Sequence, residues 1–251
     1  MSSSRFQLDA AGSTDPGRRR PRNEDAFIAV HALALFAVAD GVSTRPHGEQ
    51  ASAVAIERVC AFLQRDRTWP MEADDALGLL VAAVKHANEH LHREAQEWPK
   101  CQGPATTFAA LLLHGAHACI VHVGDSRVYR LREGELQPLT EDHTFANDCI
   151  RQGATPDEAR KMRNAGVLTR GLGLNATVDV TGQAHPLQVG DVLLVCSDGL
   201  HHVVPDADIA YILTETPNAA LAVARLIERA NEAGGPDNIS VVVVRVAKGG
   251  A

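Results

Sequence analysis

No stretch of this 251-residue chain approaches the roughly 20 consecutive apolar residues of a membrane span, because His, Gly, Asp or Arg interrupts every candidate. No membrane association is expected. The first 16 residues also lack the apolar core of a secretory signal, and the arginines at 18–20 are not followed by one. Export is therefore not expected, and the cytoplasm is the expected location. A surplus of positive charge is missing as well: 24 Lys and Arg stand against 31 Asp and Glu, a net charge of −7. Nothing general draws such a chain to nucleic acid or anionic lipid. The five cysteines are odd in number and never spaced C-x-x-C, which argues against a disulfide framework and a zinc knuckle. They read as small hydrophobes in a reducing compartment, Cys196 included, since it closes an apolar run.

What is present is ordinary globular composition, 45% hydrophobic and 22% charged, at a length near which single cores stop growing. One domain over residues 1–251 is the expectation. Short runs rich in Val, Ile and Leu at 27–30, 33–39, 107–113, 119–123, 128–131, 192–196 and 239–246 predict strands. Many are separated by turn residues only, such as Arg132-Glu133-Gly134, which favours antiparallel pairing. Residues 48–65, 75–97 and 218–231 each carry one apolar stripe and predict amphipathic helices. Strands, then paired helices, then strands again suggest a layered α+β domain. The glycine-punctuated polar segment 144–180 breaks the pattern and predicts a mobile flap or lid.

Aspartates recur where the predicted strands end: Asp40-Gly41, Asp125, Asp198-Gly199, and Asp237-Asn238 just before the last strand. Any one of them alone reads as a turn former or helix cap. Four gathered at one sheet edge would repel one another unless protons or cations intervened. All-oxygen ligands select Mg²⁺ or Mn²⁺ over zinc, and Gly41 would let a backbone carbonyl approach a metal with no Cβ in the way. The twelve histidines make no competing soft-metal motif: His86 and His90 share a helix face, but Glu89 does not complete H-E-x-x-H.

The motifs, in order, are Arg20-Pro21-Arg22-Asn23-Glu24-Asp25, Asp40-Gly41, Gly48-Glu49-x-Ala51-Ser52, Thr106-Thr107, Val123-Gly124-Asp125-Ser126-Arg127, Leu168-Thr169-Arg170-x-Leu172-Gly173, Cys196-Ser197-Asp198-Gly199-Leu200 and Gly235-Pro236-Asp237-Asn238. With this ordered set the chain resembles a bacterial member of the metal-dependent serine/threonine protein phosphatases, type 2C, over about residues 6–246. The resemblance implies a four-layer α-β-β-α sandwich, two antiparallel sheets flanked by helix pairs, with a centre of two or three Mn²⁺ or Mg²⁺ at one end. It implies that Asp40 bridges two metals, that Asp198 and Asp237 hold the first, and that the Gly41 carbonyl holds the second with Glu24 close by. Asp125 with Asp198 resembles a third-metal site. The implied chemistry is attack on phosphorus by a water that the shared cations have made acidic, with no protein nucleophile.

The family pattern assigns the phosphate clamp to Arg20, although spacing alone does not separate Arg20 from Arg22 if both lie on one strand. The implied substrates are phosphoserine and phosphothreonine on proteins, and the implied partners are a Ser/Thr kinase and its targets. The oligomeric state is not legible, and a monomer is the default. Two other readings stay open: a weakly catalytic phosphoprotein-binding regulator, and a hydrolase of small phosphate esters. One departure matters, because Arg45 stands where the family often has a histidine. Arginine does not deprotonate in proteins, so His47 or a metal-bound water would have to protonate the leaving group.

Overall fold

The computed structural model describes residues 6–65, 72–97 and 103–249. Ten strands run in chain order as β1 (Phe6–Asp15), β2 (Asp25–Val30), β3 (Leu35–Asp40), β4 (Phe108–His114), β5 (His117–Val123), β6 (Arg127–Arg132), β7 (Glu135–Pro138), β8 (Thr181–Pro186), β9 (Val192–Cys196) and β10 (Ile239–Lys248). They form two five-stranded sheets, β1-β10-β9-β6-β7 and β2-β3-β4-β5-β8. Every pairing is antiparallel, and β2–β3, β4–β5 and β6–β7 are joined by short connections as expected.

The described residues also form one short 3-10 helix at His31–Leu33 and seven α-helices: α1 (Gly48–Arg65), α2 (Ala73–Gln96), α3 (Phe145–Arg151), α4 (Pro156–Arg160), α5 (Asp198–His201), α6 (Asp206–Glu215) and α7 (Ala219–Glu232). Because strand side chains alternate between faces, each central strand splits its residues between two cores. Leu35, Ala37 and Ala39 of β3 pack with α1 and α2, whereas Phe36 and Val38 turn inward between the sheets. Leu194 and Cys196 of β9 pack with α5, α6 and α7, whereas Leu193 and Val195 turn inward. Three cores separate four layers, the α-β-β-α order that the sequence led us to expect. Burial on both faces is also why these strands are continuous apolar runs rather than alternating ones.

The helices at 48–65, 75–97 and 218–231 appear as α1, α2 and α7, the last capped by the Asn218 side chain accepting from Leu221 N at 2.8 Å. Strands β1, β7 and β8 and helix α6 were not foreseen. The segment 144–180 holds α3 and α4 and is joined to itself by a bridge between Thr144 and Leu168. Cys196 is fully buried, with its thiol pKa pushed up by burial, and Cys101 lies outside the described residues. Among the described residues no helix is long and apolar enough to cross a membrane.

Candidate metal and phosphate site

At one end of the sandwich the strand ends converge. Asp25 opens β2 and Asp40 closes β3, and the two are paired directly across the ladder. The Asp40 loop is then tied down from several sides: Asp40 N donates to Thr107 Oγ1 at 3.0 Å, while Thr106 Oγ1 and Thr107 N donate to Asp40 O, each at 2.8 Å. Gly41 follows where the chain touches the start of α1, so closely that a Cβ there would lie 2.5 Å from Gly48 backbone atoms. A side chain is excluded there by the contact with the Gly48 backbone.

The other sheet contributes Asp198, the first residue of α5, and Asp237, just before β10. Gly199 fits because a Cβ there would overlap the Asn238 carbonyl. Asn238 in turn organises the arginine-rich loop: its Oδ1 accepts from Glu24 N at 2.8 Å, and its Nδ2 donates to Pro16 O and Arg22 O, each at 2.9 Å. Residues 17–22 therefore form turns and bends rather than an extended strand, and the two arginines do not share a face. Arg20 points to the centre and donates from Nη2 to Asp237 Oδ2 at 2.6 Å; Arg22 is 75% exposed.

A cavity of about 420 Å³ opens over this end, and Arg20, Glu24, Asp40, Gly41, Asp125, Asp198 and Asp237 all line it. All seven residues singled out from the sequence meet in one place. The lining also includes Val42 to Arg45, and Gly166, Val167 and Leu168 of the segment 144–180. His47 is not part of the lining; its Nδ1 lies 3.9 Å from Glu49 Oε1 instead. Not foreseen in these roles were Asn238, which also lines the cavity and positions the arginine-rich loop, and Asp25 and His202, which reach the carboxylates through hydrogen bonds or charge.

Crowding of these carboxylates shifts their protonation. Burial, reinforced by the charges of Asp25, Asp198 and Asp125, holds Asp40 well above the usual carboxylate range. Burial likewise raises Asp25 and Asp125 to about 7 each, even though Ser197 Oγ donates to Asp25 Oδ2 at 2.8 Å. Burial opposes ionisation of Asp198 too, but the His202 imidazole, 3.2 Å from its Oδ2, and neighbouring positive charge bring it below the ordinary value.

Two buried oxygens, Asp198 Oδ1 and Asp25 Oδ1, have no hydrogen-bond partner. Buried polar atoms are almost always satisfied, so orphaned carboxylate oxygens among repelling neighbours are what a hard divalent cation would relieve. The donor set is all oxygen and fits Mg²⁺ or Mn²⁺. Among the described residues no three acidic, His or Cys side chains already form a cation cage, and Asp237 is held by Arg20 instead.

A sequence model of the family described as Protein phosphatase 2C matches residues 18–235. The chain belongs to the protein phosphatase 2C family. It is 37% identical over 240 residues to the serine/threonine protein phosphatase PstP of Mycobacterium tuberculosis, a match covering 95% of this chain and 45% of that protein. The chain thus spans less than half the length of that relative. It is 32% identical over 241 residues to the serine/threonine phosphatase stp of Listeria innocua, covering 94% and 95% of the two. Among solved structures, the PstP catalytic domain in complex with two manganese ions superposes with a TM-score of 0.80 at 34% identity, covering 96% of this chain and 99% of that one.

Proposed function

We propose that this family member removes phosphate from phosphoserine and phosphothreonine on proteins, acting in the cytoplasm against a Ser/Thr kinase. The observation that carries the reading is one cavity lined by five carboxylates, by Arg20 paired with one of them and by the side-chain-free Gly41. The manganese-bound PstP domain and the family membership support two, or with Asp125 three, Mn²⁺ or Mg²⁺ at this place.

In this reading Asp40, Asp198, Asp237 and the Gly41 carbonyl would hold two cations, with Glu24 close by, and Asp125 with Asp198 would hold a third. When bound, the cations offset phosphate charge and lower the pKa of a coordinated water towards about 7. The chain's own residues do the rest. Arg20 exchanges Asp237 for the phosphoryl oxygens, which its planar fork grips with two donors. His202 keeps Asp198 ionised and oriented. Thr106 and Thr107 fix the height of Asp40, and Asn238 fixes the loop that carries Arg20 and Glu24. The segment 144–180 supplies one wall of the cleft and serves as its flap.

Hydrolysis of a phosphothreonine peptide with Mn²⁺, with Mg²⁺ and with chelator tests the proposal. Turnover only with added or retained cation is expected; full turnover after exhaustive chelation would overturn it.

A further inference from the structure

Asp125 sits where the chain crosses from β5 in one sheet to β6 in the other. Residues 124–126 lie outside both strands, so no sheet ladder fixes the turn and other contacts hold it. Ser126 Oγ meets Thr107 Oγ1 at 2.7 Å, the same hydroxyl that accepts from Asp40 N. Gly124 is bonded to His143, its N donating to Nδ1 at 3.1 Å and its O accepting from His143 N at 2.9 Å. The Asp125 carbonyl itself meets His201 Nε2 at 3.0 Å.

His201 closes α5, the short helix that Asp198 opens. A carbonyl oxygen only accepts, so Nε2 carries the imidazole hydrogen and donates it, which leaves Nδ1 as an acceptor. That Nδ1 is shielded from solvent and has no hydrogen-bond partner. Leaving a buried acceptor bare costs stability, so packing alone does not favour histidine here; an apolar ring would fill the place without the orphan. His202, next in the chain, meets Asp198 Oδ2 through Nδ1 at 3.2 Å, and its ring stands edge-on to His201 at 4.7 Å. The two consecutive histidines thus touch both acidic residues assigned to the third cation, Asp125 by its backbone and Asp198 by its carboxylate. We infer that His201 is a positioning residue: by tying the Asp125 backbone to α5 it fixes the separation of the Asp125 and Asp198 carboxylates and sets the affinity of the third cation. This inference rests on the phosphatase reading with its third cation, and it names the residue that shapes that site.

Titration calorimetry with Mn²⁺ tests it. The native protein is expected to bind two cations tightly and a third more weakly. His201→Phe keeps a ring but leaves Asp125 O without its donor. It should hold the tight cations as the native protein does and weaken the third roughly tenfold, as the loss of one ligand-orienting hydrogen bond does. His201→Gln, whose amide nitrogen reaches about as far as Nε2, should keep most of that affinity. His201→Asn, too short to reach, should match the Phe variant and serves in its place if that variant does not fold. In an Asp125→Ala background, His201→Phe should change Mn²⁺ binding no further. Turnover of a phosphothreonine peptide by the Phe variant should be low at limiting Mn²⁺ and recover as Mn²⁺ is raised.

A native protein that binds three cations, with the third unchanged in the folded Phe and Asn variants, would overturn the inference alone. A lowered Tm with all cation affinities intact would do the same, since His201 would then serve the fold only. Equal weakening of all three cations, or a Gln variant as weak as the Phe variant, would also overturn it. A native protein that binds two cations and hydrolyses the peptide would remove the third cation, and the inference with it, while the phosphatase reading stood. One that neither binds Mn²⁺ nor hydrolyses the peptide would overturn the phosphatase reading itself.

Discussion

Arg20 and Asp237 are 217 positions apart in the chain and meet at 2.6 Å, the proposed phosphate clamp resting on a proposed metal ligand. Each side chain is about one-third exposed, which limits such a pair to about 1 kcal/mol. Arg20→Ala should therefore tighten the cation at Asp237 by no more than about fivefold in titration calorimetry without phosphate. The same change should raise KM for a phosphopeptide and lower kcat/KM at least tenfold, since a bidentate phosphate contact is lost. Arg22→Ala is the control, because its side chain is exposed and is not among the residues that line the cavity. A crippled Arg22 variant beside a normal Arg20 variant would reverse the assignment.

Asp198→Asn and Asp237→Asn each delete an anionic ligand at nearly constant volume. Both variants should keep the fold, judged by far-ultraviolet circular dichroism, and lose at least a hundredfold in turnover. They should also lose the rise in Tm that Mn²⁺ gives the native protein, because ligands that bind only the folded state stabilise it by mass action. Near-normal rates in both would place the chemistry elsewhere.

The buried strands of this fold were readable, whereas of the four edge strands only β2, at 27–30, was. Strands β3, β4, β5, β9 and β10 are packed on both faces, so their sequences are unbroken apolar runs. Strands β1, β7 and β8 are sheet edges; β8 reads Thr-Gly-Gln-Ala-His-Pro and lacks any periodic signal, because an edge strand needs little apolar surface. The site divides along similar lines. Asp40, Asp125, Asp198 and Asp237 stand at strand ends and could be found by their repetition. Asp25 and Asn238 work through hydrogen bonds 172 and 214 residues distant, to Ser197 and Glu24, which no local spacing announces. Arg20 parts from Arg22 only because the loop turns.

His143 gives a pH prediction away from the carboxylates. It is 1% exposed, stacked on His122 at 4.4 Å, and bonded through Nδ1 to Gly124 N at 3.1 Å and through Nε2 to Thr181 Oγ1 at 3.0 Å. Burial, then the stacked His122 and the charges of Arg170 and Arg151, lowers its pKa to about 3 against the opposing charge of Asp142. An unfolded histidine titrates near 6.5, so between the two values the unfolded chain binds more protons. The contribution is present in full above pH 6.5 and is lost as the pH falls towards 3. His143→Asn costs stability at pH 7.5, but its deficit against the native protein should shrink on acidification by about 1 kcal/mol per pH unit. Urea melts of both proteins at pH 7.5, 6.0 and 5.0 check this, and a constant gap would show that His143 does not titrate as its burial requires.

Two glycines separate close approach from mere flexibility. At Gly41 an added Cβ meets Gly48 backbone atoms at 2.5 Å, and backbone cannot step aside as a side-chain tip can. At Gly78, exposed within α2, an added Cβ meets nothing within 4 Å. Gly78→Ala should thus stabilise the protein by about 0.5–1 kcal/mol, the helix-propensity gain of alanine. Gly41→Ala should destabilise it by about 1–3 kcal/mol through overpacking, yet leave both sheets intact, because the clash lies beyond the end of β3. Displacement of the loop would move the carbonyl assigned to the second cation. Gly41→Ala should then fold, bind fewer Mn²⁺ in calorimetry and lose most turnover, while Gly78→Ala keeps both. If Gly41→Ala bound the full complement of Mn²⁺ with native affinity, its carbonyl would not be a ligand, and Glu24 would be left as the nearest remaining donor for the second cation.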